Sequence, residues 1–178
     1  MNLYISTYTL AALFIFMGII FAFFPEKYKS AVYAFPRSKN AAYILFGGSA
    51  VYFVYLLSQL GEADFGNIKE MLIVVFGGAA VLAFKYLPDF LSVRGLAVAL
   101  LLLSRHFLDS AFMQEPTSRL TLVSLTYAII LASLYFGALP YRMRDLIHWL
   151  YAKSHRPKAF GALMLMAGLS LVISSLYY

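Results

Sequence analysis

Residues Leu91–Met113 read LSVRGLAVALLLLSRHFLDSAFM, and how this stretch is counted decides the fold. A helix needs about 20 predominantly apolar residues to cross a hydrocarbon layer of ~30 Å, and the stretch is long enough. It also carries Arg94, Arg105, His106 and Asp109. An ionised side chain near the centre of a spanning helix costs roughly 2.5–3.5 kcal/mol on insertion scales. Counted as a span, it gives the chain six crossings. Discounted, it leaves five and puts the two ends on opposite sides.

The other five runs carry less doubt: 3–24, 41–60, 68–87, 120–139 and 159–178. Composition agrees with them. Hydrophobic residues make up 62% of the 178 and charged residues 12%, about half the roughly 25% charge of a soluble domain. That balance excludes a cytosolic enzyme, a disordered chain and a coiled coil. Cysteine is absent, so a disulfide framework, a thiolate zinc site and a thiol nucleophile are excluded as well.

Basic residues decide between five spans and six. With six, the connections after spans one, three and five hold Lys27, Lys29, Arg37 and Lys39, then Lys85 and Arg94, then Arg142, Arg144, Lys153, Arg156 and Lys158. These are eleven of the fourteen Lys and Arg residues. Cytoplasmic loops carry the excess of Lys and Arg, which puts these three connections in the cytoplasm and both termini outside. Glu62, Asp64, Glu70, Asp109 and Glu115 then fall on the outer side. Five spans would scramble this asymmetry. The first span lacks the basic n-region of a cleavable signal peptide and exceeds its 7–15-residue apolar core, so it is expected to stay.

Each cytoplasmic turn opens with an apolar residue and proline: Phe24-Pro25, Leu87-Pro88 and Leu139-Pro140. Proline disfavours helical geometry in the residue before it and ends each span there. The expected fold is an all-α polytopic membrane bundle of six transmembrane helices arranged as three hairpins. Within 141–151, Met143, Leu146, Ile147 and Leu150 follow helical spacing, with Arg144, Asp145 and His148 mostly opposite. This predicts a short amphipathic helix lying in the cytoplasmic interface, and Tyr28, Val32 and Phe35 predict a weaker second one. Arg142, Arg144, Lys153, Arg156 and Lys158 are then the candidate contacts to lipid headgroups. The patches Phe46-Gly47-Gly48-Ser49-Ala50 and Phe76-Gly77-Gly78-Ala79-Ala80 echo one another. Gly47, Gly48, Gly77 and Gly78 are expected to let helix backbones approach, because packing drives association in lipid.

One constellation carries chemistry. Arg105 and Asp109 stand at i, i+4 and His106 and Asp109 at i, i+3, so the three side chains can meet within one turn. Arg105 lies roughly 12 Å from a helix end at Met113 by the 1.5 Å rise. Ser124 and Tyr127 of an antiparallel fifth span reach a comparable depth and complete a candidate polar cluster. Three readings stay open: an ion pair facing the bundle interior, a span that stops near Ser104 with 105–115 on the surface, and a proton, ion or substrate site. Histidine suits the last, since its charge changes near physiological pH.

No P-loop, dinucleotide fingerprint or GxSxG motif is present, and no cofactor or metal is expected. The leading expectation is a non-catalytic accessory, scaffold or assembly subunit of a larger complex, in a bacterial inner membrane. Its expected partners are the lipid bilayer and other membrane subunits or a second copy, not nucleic acid. The alternative is a small transporter or channel for a proton, ion or small anion, using Arg105, His106 and Asp109.

Overall fold

A computed structural model describes residues 2–61 and 65–178, so Glu62 and Asp64 lie outside the described residues. The long helices are α1 (Leu3–Phe23), α5 (Lys69–Tyr86), α6 (Leu91–Ala111), α7 (Leu120–Ala138) and α9 (His155–Ser175), and the remaining span runs continuously over Lys39–Ser58. That span comprises α3 (Lys39–Ala42), a π-helical turn over Tyr43–Gly47, and α4 (Gly48–Ser58). Two shorter helices, α2 (Pro25–Ala34) and α8 (Tyr141–Tyr151), follow α1 and α7. Six helices are long and apolar enough to cross a membrane, and no strand occurs among the described residues.

The proline stops act as expected. Phe24, Leu87 and Leu139 cap α1, α5 and α7 with φ of −126°, −128° and −122° and ψ of 37°, 46° and 68°, out of the helical region that the following proline disfavours. The doubtful stretch is one unbroken helix from Leu91 to Ala111, so 105–111 continues it rather than breaking away at Ser104.

Small hydroxyl residues are buried alongside an apolar core, and large apolar side chains cover much of the outside. Ser6, Thr7, Ser49, Ser92, Ser104, Ser110, Thr126, Ser133, Ser174 and Ser175 are buried, while Ile44, Val51 and Val74 are each 73% exposed. Four of these hydroxyls bond to their own helix, as Thr7 does to the Leu3 carbonyl (2.9 Å) and Thr126 to that of Leu122 (2.7 Å), whereas Ser6, Ser104 and Ser133 have no hydrogen-bond partner among the described residues. A soluble monomer rarely exposes an apolar surface this continuous. Small residues inside and large apolar ones outside suit a hydrocarbon solvent.

The helices pair differently from the expected hairpins. The close pairs are α1 with α9, α6 with α7, and α4 with α5, and α6 also packs on the π turn and against α1. α4–α5 and α6–α7 are joined at the end opposite the prolines, and α1–α9 joins the two ends of the sequence. Spans one and two, and three and four, do not form close pairs, and α7 meets α9 less closely than it meets α6. The reason lies at the basic end. There α2 and the 3₁₀ turn Phe35–Arg37 intervene between α1 and the next span, and α8 intervenes between α7 and α9. The two inserted helices pack on each other, whereas α5 and α6 are joined only by a short turn.

The small residues that bring backbones together are also not those expected. A Cβ on Gly48, Gly77 or Gly78 would meet nothing within 4 Å, and one on Gly47 only the Phe84 ring at 3.7 Å. The close approaches occur at Gly18, Gly161 and Gly168 in the α1–α9 seam and at Gly95, where a Cβ would lie 2.5 Å from the Phe46 nitrogen. Gly77 and Gly78 meet no neighbouring helix, Gly47 lies against the Phe84 ring of α5, and Gly48 borders a shallow groove beside α6.

At the other end, the α1–α9 seam is tied by tyrosines. The Tyr4 hydroxyl donates to the Tyr178 carbonyl (3.0 Å), the Tyr178 hydroxyl pairs with that of Thr7 (2.9 Å), and the Tyr4 and Tyr178 rings meet edge to face at 5.4 Å.

Candidate functional site

Helix α6 buries Ser104, Phe107, Ser110 and Ala111. Residues advance 100° each around a helix, so Arg105 and Asp109 fall together on a different face. Arg105 Nε lies 3.7 Å from Asp109 Oδ2, and both side chains are largely exposed, at 60% and 67%. The i, i+4 pair therefore forms, but it does not face the bundle interior. With α6 ending at Ala111, Arg105 lies roughly 9 Å from the helix end by the 1.5 Å rise.

His106 turns another way. Its Nε2 lies 2.6 Å from the hydroxyl of Tyr52 on α4. Ser124 and Tyr127 do not join the cluster: both are exposed, and among the described residues no hydrogen bond or ion pair links them to Arg105, His106 or Asp109. The face α7 buries holds Leu122, Thr126 and Ser133. Ser124 is 200° around the helix from Leu122, nearly opposite. The residue missing from the sequence reading is Tyr52. Its signal is a tyrosine well inside an apolar span, away from the interfacial belts where tyrosine is enriched.

Tyr52 and His106 close one end of a groove of about 410 Å³ between the second span and α6. Ile44, Leu45, Gly48, Ser49, Ala99 and Leu102 line the rest. Two features shape it. The π turn carries an extra residue per turn, a device frequent at functional sites. Gly48 projects no side chain into the space, and Gly95 lets α6 lie directly against the π turn at Phe46.

A second polar region forms at the basic end. Helix α8 buries Ile147 and Leu150 and turns Arg142, Arg144 and His148 outward, the amphipathic arrangement its spacing predicts. Helix α2 packs against it through Tyr33, whose ring meets those of His148 (5.0 Å) and Tyr151 (5.6 Å). The Tyr151 hydroxyl donates to the Pro25 carbonyl at 3.2 Å. Burial pushes the pKa of that hydroxyl up, and Glu26 and Tyr33 add to the shift. Tyr151 thus stays protonated, and a donor, throughout the ordinary pH range.

Of the five basic residues expected at headgroups, Arg142, Arg144, Lys153 and Lys158 are exposed at this end. Arg144 is partly engaged by Asp145 at 3.1 Å. Arg156 is committed to the protein: it lies 4.4 Å over the Trp149 ring and donates to the Trp149 carbonyl at 2.8 Å. Among the described residues, no group of three His, Cys, Asp or Glu side chains is placed to hold a metal ion. No family model, curated protein or solved structure matches this chain.

Proposed function

We propose that the chain is a multi-pass membrane protein that acts as a non-catalytic subunit of a larger membrane complex, its exposed Arg105–Asp109 pair covered there by a partner helix. The observation that supports this is the exposure of an ion pair on a spanning helix about 9 Å from its end. Ionisable residues within spans almost always face a bundle interior or an aqueous cavity, since lipid is a poor solvent for them. In this chain the pair points away from the chain's own core. A polar surface on a neighbouring subunit supplies the missing interior.

The test compares complexes isolated in mild detergent from the native membrane. The doubly neutral variant Arg105→Leu with Asp109→Leu should remain folded and membrane-inserted yet lose the partners that accompany the wild-type chain. Full retention of those partners would sink the reading. Within this proposal the basic end lies in the cytoplasm, the membrane is the bacterial inner membrane, and both ends of the sequence are external. Reporters fused after Tyr178 should therefore register the outside, and reporters within 153–158 the cytoplasm. A cytoplasmic signal from the Tyr178 fusion would overturn the orientation.

A second reading, a small proton or ion transporter, is favoured by the Tyr52–His106 bond at the polar end of the groove. There the tyrosine hydroxyl and imidazole form a two-member relay. Tyr52→Phe keeps the ring and removes the hydroxyl. On the transport reading it should abolish ion flux in reconstituted vesicles without changing assembly. On the subunit reading it should leave both assembly and ion permeability as they were.

A further inference from the structure

We propose that a cavity at the basic end, bounded by Arg37, Lys39, Tyr43, Phe84 and Leu91, is a site for the headgroup of an anionic phospholipid. The inference rests on the membrane reading above but not on the existence of a partner subunit.

The cavity holds about 180 Å³ and lies between the start of the second span and the turn joining α5 to α6. Its walls are of two kinds. One side carries Arg37, Ser38 and Lys39; the other is apolar, formed by Ala42, Tyr43, Phe84 and Leu91. The polar wall is held in place by the fold. Pro36 is buried, and the Ser92 hydroxyl donates to the Phe35 carbonyl at 2.7 Å, which fastens the 3₁₀ turn Phe35–Arg37 to α6. The Ser38 hydroxyl accepts from the Ala41 amide at 3.2 Å and fixes the first turn of the span. The Arg37 guanidinium rests 5.6 Å from the centre of the Phe90 ring. In the apolar wall Tyr43 and Phe84 stack at 5.2 Å, and Phe84 packs on the buried Ala42, Ala83 and Leu91.

Charge complementarity selects the occupant. Two cations lie within three residues at the cavity mouth, and among the described residues neither makes an ion pair with a carboxylate. Asp89, the acid in the adjoining turn, is exposed and lies outside the lining. A guanidinium matches phosphate oxygens in a forked geometry, and an ammonium adds a point charge. The apolar wall continues from the cations down the second span, where the first methylenes of an acyl chain would lie. A free phosphate would use the cations and leave the Tyr43–Phe84 wall bare, whereas a phospholipid uses both.

The experiment follows bound lipid on the full chain purified in detergent, by native mass spectrometry with dioleoyl phosphatidylglycerol and dioleoyl phosphatidylcholine as probes. The wild type should retain the anionic lipid in preference to the zwitterionic one. A cation in contact with a bound anionic headgroup is worth about fivefold in its affinity. Arg37→Gln with Lys39→Gln should therefore weaken retention about 25-fold. Lys27→Gln with Lys85→Gln removes the same charge from the same end, from exposed positions outside the cavity lining, and should change retention by a much smaller factor. Both doubles alter exposed side chains, so unchanged melting should accompany the loss. Lys39→Gln alone, with the Arg37–Phe90 contact intact, should give an intermediate fall. Equal losses in the two doubles, or no preference between the lipids in the wild type, would overturn the site. Displacement of the lipid by millimolar inorganic phosphate would overturn the lipid as its occupant. A chain that fails to enter vesicles at all would instead sink the membrane reading beneath it.

Discussion

Gly161→Leu should lower the melting temperature of the chain more than any other single glycine replacement in the bundle. A side chain at this position of α9 runs into the Ala22 nitrogen, and its Cβ would stand 2.8 Å from the Gly18 carbonyl oxygen. These are backbone atoms, so no rotamer change relieves the collision and α1 must separate from α9. Overpacking costs about 1–3 kcal/mol when side chains can shift; with backbone opposite, the upper end applies. For a chain of this size, 3 kcal/mol corresponds to a fall of about 6–12 °C. Gly168→Leu should behave similarly, since its Cβ would lie 2.6 Å from Ile15 Cγ1 and 3.1 Å from the Ala11 carbonyl. Gly48→Leu and Gly78→Leu are the matched contrast. Both positions open onto free space, and leucine is the better helix former. They should melt at or slightly above the wild-type temperature. Equal melting of the Gly161 and Gly78 variants would mean that α1 and α9 do not form the seam.

Arg105→Leu and Asp109→Leu, made singly, should each reduce the amount of folded chain in the membrane far more than the two made together. Each single change strands one charge on a spanning helix, at a cost of up to about 2.5–3.5 kcal/mol. That is on the order of a hundredfold in an insertion equilibrium. The double change removes both charges and the pairing problem with them, and replacing an ion pair by apolar residues is often neutral or stabilising. Quantifying inserted protein for the four versions provides the check. If the singles insert as well as the double, both side chains reach water at the helix end. The pair would then need no partner, and the argument for a covering subunit would lose its ground.

The spans were legible because they depend on local chemistry. A run of apolar residues and a proline after Phe24, Leu87 or Leu139 act through the residue itself and its immediate neighbours. The charged stretch at 105–109 could be read as helix for the same reason, since an i, i+4 pair satisfies itself locally. What required the structure was every question of which face meets which helix. The doubled glycines at 47–48 and 77–78 are conspicuous in sequence yet bring no two backbones together. Gly18, Gly161 and Gly168 are single and inconspicuous, and they form the seam, because their role depends on a helix over a hundred residues away. The π turn at Tyr43–Gly47 leaves no mark in an apolar run, so the rotation it gives the second span could not be anticipated. Ser124 and Tyr127 failed as site residues through one assumption about which stripe of α7 faces α6. Tyr52 was passed over because its partner, His106, lies on another span.

The tyrosine tie between Tyr4 and Tyr178 joins residues 174 positions apart, and this has a consequence for how the molecule is made. Helix α1 leaves the ribosome before all the others, and its closest neighbour, α9, follows the other five spans. Throughout synthesis the α1 face that carries Gly18 is therefore without its partner. Bringing such distant segments together carries a large closure entropy, and contacts of long sequence separation form slowly. The α1–α9 contact can therefore form only once α9 has been made, later than the contacts of α4 with α5 and of α6 with α7 can form. Until then the vacant groove along α1 is open to whatever helix lies nearby, so assembly factors and misassembled neighbours would compete for the same surface during that interval.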